Sequence, residues 1–162
     1  MLVENQSGVL SRISGLFSRR GYNIDSLSVG VTENPAFSRV TIVTSGDEFV
    51  IAQIKNQVEK LVDVVRVVEL ATDSSVMREL ALIKIKAAEQ TRSAIVGIVD
   101  IFRAKIIDVS ASSVTVEITG ETSKIDAFLS LAETYGVEEI ARTGLTGLQR
   151  GAAFIKEHEK FE

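Results

Sequence analysis

Residues 5–23, NQSGVLSRISGLFSRRGYN, decide the fold, because they join a short apolar strand to a helix through a polar loop that contains a glycine. Val9, Leu10, Ile13, Leu16 and Phe17 recur at helical spacing and predict one buried stripe, with Ser11, Arg12, Ser18 and Arg19 outside it. Ser7 or Gly8 is the expected cap and Gly21 the expected stop. The first amides of such a helix have no acceptor inside it. With the partial positive charge of the helix start they favour an anion by roughly 0.3 to 2 kcal/mol. Gly8 carries no side chain to block the approach. Asn5 can both donate and accept, which suits a zwitterion better than a phosphate.

Upstream, Leu2 and Val3 read as a short strand that reaches the loop by Asn5. Downstream the period changes to two: Leu27, Val29 and Val31 alternate with Ser26, Ser28, Gly30 and Thr32, so residues 24–32 read as a strand with one wet face. A turn around Pro35, the only proline, leads to a strand over residues 38–44. A helix carrying Ile51, Ile54, Val58 and Leu61 follows, then a β-branched strand from Val64 to Leu70. The order βαββαβ is the ferredoxin-like plan, two helices on one face of a four-stranded antiparallel sheet.

The polar stretch at 72–76 is the expected linker, and the second half repeats the first without obvious identity. Ile83, Ile85 and Ala87 open a strand, a helix follows with Ile95, Ile98, Val99 and Phe102 on its stripe, and residues 105–109 and 114–119 form a hairpin. Thr122 or Ser123 caps a helix with Ile125, Phe128, Leu129 and Ala132, and residues 137–143 supply the last strand. The fold expected is therefore α+β, with two tandem ferredoxin-like βαββαβ domains at 1–71 and 77–162, the latter ending in a tail from Gly144 that is expected to be flexible in part.

The 162 residues hold 45% apolar side chains, and a mean hydropathy of +0.20 is high for so small a chain, so part of its surface is expected to meet another chain. A net charge of −4 argues against a phosphate-backbone binder, so no nucleic-acid partner is expected. Without cysteine there is no disulfide, thiolate nucleophile or thiolate metal site. No apolar run reaches about 18 residues and no signal peptide is visible, so no membrane association and a cytoplasmic location are expected. No Walker loop or dinucleotide fingerprint occurs, and the sole histidine, His158, lies among charges. Glu138 and Glu139 fall on opposite strand faces. No catalytic or metal-binding residue is assigned, and the chain is expected to be a sensor and not an enzyme.

NQSGVLSRISGLFSRRGYNIDSL, TENPAFSRVTIVTSGDE, QIKNQVEKLVDVVRVVEL and the later GLQRG together resemble the regulatory (small) subunit of acetohydroxyacid synthase, also called acetolactate synthase, over nearly the whole chain. Many amino-acid-sensing ACT domains share an Asn-x-x-Gly loop, whereas few continue with GLFSRRGYNI and KLVDVVRV. The resemblance implies that the first domain is an ACT domain. It further implies activation of a separate catalytic large subunit, which uses thiamine diphosphate, magnesium and FAD, and valine feedback inhibition in isoleucine and valine biosynthesis. No cofactor is expected on this chain itself. The positions that match the family's effector loop are Asn5, Gly8 and Ser11, with Asn23 across an interface.

The residues themselves lead to a similar place. The strand from Ile24 to Thr32 lies at a sheet edge with Asp25 as its one charge, and such edges invite pairing. A homodimer through this edge would frame a pocket between chains with Asn5, Gly8, Val9, Leu10, Asn23 and Ile24, and the resemblance implies a branched-chain amino acid, valine, as its ligand. The second half has Ala88-Glu89-Gln90-Thr91-Arg92 at the corresponding place, with no glycine and an acid facing an incoming carboxylate, so one site per chain is expected. Asn5 and Gly8 equally suit a plain turn and cap, Asn23 suits post-helix turn chemistry, and Arg12, Arg19 and Arg20 suit a solvated edge or an acidic partner. Gly30 and Val31 stand where the family usually has a bulkier pair, which leaves the pocket's size open. The alternative reading is a free-standing ACT sensor or an amino-acid-responsive transcription regulator, although neither a helix-turn-helix nor a basic arm is seen.

Overall fold

The computed structural model describes residues 1–155. Two compact units result: Met1–Val76 together with the chain from Leu145, and Met77–Gly144. The first runs β1 (Leu2–Glu4), α1 (Val9–Arg20), β2 (Ser26–Val31), β3 (Phe37–Val43), α2 (Glu48–Val58), β4 (Val64–Arg66). Its sheet has the order β2-β3-β1-β4, antiparallel throughout, which puts β2 at an edge. The stripe Val9, Ile13, Leu16 and Phe17 packs with Ile54 and Val58 of α2 onto Val3, Val40 and Val64 of the sheet, forming a core drawn from residues of this unit alone.

The second unit repeats the order with β5 (Ser75–Lys86), α3 (Glu89–Ile101), β6 (Lys105–Val109), β7 (Ser113–Gly120), α4 (Thr122–Ala132) and β8 (Val137–Arg142), in the sheet order β6-β7-β5-β8. The alternation Ala81, Ile83, Ile85 meets Val114, Val116 and Ile118 across the ladder, under Ile95, Val99, Ile125 and Phe128. Phe102 and Phe128 meet edge to face at 5.5 Å. Both units are thus the α+β, ferredoxin-like βαββαβ arrangement that the hydrophobic periods predict.

Several boundaries differ from the sequence expectation. β4 stops at Arg66 and not at Leu70, because its sole ladder partner, β1, is only 3 residues long. Leu10, expected in the stripe, is 42% exposed. β5 begins inside the expected linker at Ser75, and beyond Gly144 the chain forms β9 (Thr146–Gln149), which pairs with β5 and belongs to the first unit. The Arg150 amide donates to Ser74 O at 2.9 Å. A polar stretch that reads as linker thus becomes strand through a partner far along the chain. Helix α4 is capped by the extended Glu121, because Thr122 Oγ1 donates to the buried Glu79 at 3.1 Å. His158 and the end of the tail lie outside the described residues.

Candidate functional site

The β1–α1 loop is built by spending most of Asn5 on its own chain. Its amide donates to Ala36 O at 2.7 Å, its Nδ2 donates to Pro35 O at 2.9 Å, and its Oδ1 accepts from the buried Ser38 hydroxyl at 3.2 Å. The loop is thereby fastened to the β2–β3 turn. One N–H and one lone pair of the Asn5 amide group remain for other use.

Gly8 caps α1 in the left-handed region, φ 84° and ψ −11°, with no side-chain hydrogen bond to the helix. Its carbonyl accepts from the Arg12 amide at 3.0 Å. The amides of Val9, Leu10 and Ser11 have no acceptor among the described residues. The other three helices each satisfy their third amide: Val50 donates to Asp47 Oδ1 at 2.8 Å, Thr91 to Ala88 O and Lys124 to Glu121 O, both at 3.0 Å. Helix α1 also lacks an acid in its first turn, whereas α2 has Glu48 and α3 has Glu89. Of the four helix starts it is therefore the one in which all three leading amides lack an acceptor among the described residues, and like α4 it has no acid in its first turn.

Asn5, Gly8, Val9, Leu10 and Ser11 are brought together at this mouth. Val9 offers only its amide, since its side chain is 4% exposed in the core, while Leu10 and the Ser11 hydroxyl stay outside. Asn23 and Ile24 follow Gly21, so the 12 residues of α1, about 18 Å of helix, separate them from the mouth within one chain. Asn23 Nδ2 donates to Asp25 Oδ1 and its carbonyl accepts from Thr44 Oγ1, each at 2.6 Å. Ile24 packs in part on the first unit's own core.

Arg12 is not a simple solvated edge residue. Its Nε donates to the buried carboxylate of Asp63 at 2.5 Å, a bond that raises the guanidinium pKa, and nothing in the spacing of the two residues signals the pair. Arg20 donates to Gln57 Oε1 at 3.0 Å. On the helix-side face of edge strand β2, Val29 and Val31 follow Leu27 in register with Val40 and Ser38, yet are 50% and 61% exposed. Gly30, between them, has open space where a Cβ would stand. A separate groove of about 530 Å³, lined by Lys55, Arg66, Glu69 and Phe154 among others, shares no residue with the mouth. Among the described residues no cluster of His, Cys, Asp and Glu could hold a metal, and no helix is long and apolar enough to cross a membrane.

Two family models divide the chain between them. The one described as an AHAS small subunit-like ACT domain matches residues 1–66, and the one described as the small subunit of acetolactate synthase matches residues 78–151. The acetolactate synthase small subunit of Mycobacterium leprae is 51% identical over 151 residues, 93% of this chain and 89% of that protein. The acetolactate synthase isozyme 3 small subunit of Escherichia coli K12 is 50% identical over 157 residues, 96% of each. The crystal structure of the acetolactate synthase small subunit from Thermotoga maritima superposes with a TM-score of 0.87 at 44% identity, covering 94% of this chain and 96% of that one. With an ACT-type first unit, a second unit matched on its own and relatives aligned over almost their full length, the chain belongs to the acetolactate synthase small-subunit family.

Proposed function

We propose that the chain is a non-catalytic regulatory subunit of acetohydroxyacid synthase, that it activates a separate catalytic subunit, and that it binds valine as a feedback inhibitor between two copies of its first unit. The observation that carries the ligand reading is the start of α1, where the amides of Val9, Leu10 and Ser11 stand unspent beside a glycine. The valine carboxylate takes these donors. Thiamine diphosphate, magnesium and FAD reside on the catalytic partner.

The dimer reading rests on β2. Its Val31 end lies beside Ser38 and hence beside Asn5, and its Ser26 end leads back to Asn23. Pairing two β2 edges antiparallel about a two-fold brings the partner's Asn23 and Ile24 to the mouth, and covers Val29 and Val31. Burying the isopropyl group contributes about 1.5 to 3 kcal/mol. The two methyls that separate valine from alanine contribute about 1.6 kcal/mol, roughly fifteenfold. Leucine and isoleucine bind more weakly. Valine lowers activity by binding the inhibiting arrangement of the holoenzyme better than the activating one.

Calorimetry of the full chain with valine, paired with inhibition assays on holoenzyme reconstituted with a catalytic subunit, tests the proposal. Heat saturating with valine and a matching loss of activity are expected. Absence of both from well-folded protein overturns it.

A further inference from the structure

The second unit carries the same strand-to-helix element without the same opening, and comparing the two isolates one ion pair. Backbone bonds fix the equivalences. Glu4 N donates to Asp63 O and Lys86 N to Gly136 O, both at 2.9 Å; Asn5 N donates to Ala36 O at 2.7 Å and Ala87 N to Ser112 O at 2.8 Å. From these anchors the loop to the helix cap is two residues longer in the first unit, where Gln6 and Ser7 intervene before Gly8. Arg12 and Arg92 then occupy one place, each four residues past its cap and each amide donating to the cap carbonyl at 3.0 Å.

Their guanidinium groups are used differently. Arg92 Nη2 donates to the carbonyls of Ala87, Ser110 and Ala111 at 3.3, 3.0 and 3.0 Å, so it seals the helix start to the β6–β7 turn, and its Nε is buried without an acceptor. In the first unit Asp63 stands where the second has Gly136, and takes Arg12 Nε. The seal to the β2–β3 turn is made by Asn5 instead. Arg12 Nη1 and Nη2 therefore have no acceptor among the described residues. They lie over Gly8, 3.0 and 4.0 Å from where a Cβ would stand.

We propose that Arg12 is an effector-binding residue, the free edge of its guanidinium pairing with the carboxylate that the α1 amides hold, and that Asp63 is its positioning residue. This rests on the reading of that mouth as an amino-acid site. A helical arginine runs back toward the N-terminus of its helix, which takes it to the mouth. Its planar fork serves one carboxylate through Nε while it offers Nη1 and Nη2 to another. Asp63, 7% exposed, fixes the fork before the ligand arrives, and so lowers the ordering cost of binding.

Calorimetry of the full chain with valine and with valinamide, which keeps the isopropyl group and the ammonium but lacks the carboxylate, tests the assignment. The parent protein is expected to prefer valine. Arg12→Gln and Asp63→Asn should each weaken valine by about tenfold or more and erase most of that preference, while valinamide affinity scarcely moves. The double variant Arg12→Gln/Asp63→Asn, which leaves no buried carboxylate unpaired, should lose as much, so a folding defect in one single variant does not decide the matter. If the parent binds valine and the variants keep both affinity and preference, or lose valine and valinamide alike, the assignment of Arg12 falls and the reading of the mouth stands. If the parent binds neither compound, the reading itself fails and takes the assignment with it.

Discussion

At Gly8 a single backbone conformation serves two ends. A φ of 84° turns the chain from strand into helix and leaves the first amides bare, and an L side chain there costs roughly 1 to 2 kcal/mol. Asp tolerates this region better than most residues, so Gly8→Asp is expected to fold. Its Cβ would stand 3.0 Å from Arg12 Nη1, and its carboxylate would occupy the donors proposed for the effector. In reconstituted holoenzyme the variant should activate as the parent does while losing valine inhibition. A titration of activity against valine checks this, and an unshifted inhibition curve counts against the site. Gly8 was legible from sequence because a glycine before an apolar stripe has few uses. Asp63 was not, since its partner is 51 residues away and no local period links them.

Among the elements, the stripes of α1, α3 and α4 were legible because each has to bury one face on a sheet, and a core stripe has one period. Each exception has its own cause. Leu10 reads as stripe by hydrophobicity, yet the core takes Val9, Ile13 and Leu16 and leaves it 42% exposed. Strands β4 and β9 depend on partners that composition does not reveal, a short β1 for one and β5 for the other. Helix α3 contains a glycine with no structural duty: a Cβ at Gly97 would meet nothing within 4 Å, and its φ is not positive. Gly97→Ala should therefore stabilise the protein by about 0.5 to 1 kcal/mol through helix propensity alone, raising the thermal midpoint by roughly 1 to 4 °C. Scanning calorimetry of both proteins checks it. A lower midpoint would mean that this helix face is already occupied in the protein as purified.

At the scale of the whole molecule the two units divide the labour proposed here, and a truncation tests the division. Every buried member of the first core lies between Val3 and Val64, so a chain ended after Val76 keeps that core, the mouth at Gly8 and the edge strand β2 intact. It loses the C-terminal segment that serves the first unit, including the bond from Ser28 Oγ to Leu145 O at 3.0 Å and the one from Arg150 N to Ser74 O at 2.9 Å. A domain near this size buries only about 60% of its unfolded surface, so the lost packing should lower the thermal midpoint by roughly several degrees without abolishing folding. The second unit meanwhile exposes large apolar side chains that its own core does not use: Ile101 at 78%, Ile107 at 51%, Val109 at 56% and Leu131 at 47%. Apolar surface of that kind is suited to another chain. The truncated protein is therefore expected to bind valine and to dimerise at parent strength, yet to raise the activity of a catalytic subunit far less. Calorimetry, sedimentation and reconstituted assays measure the three quantities separately. A truncated chain that activates fully would place the activating surface in the first unit, whereas one that folds and activates but no longer binds valine would reverse the assignment of the two halves.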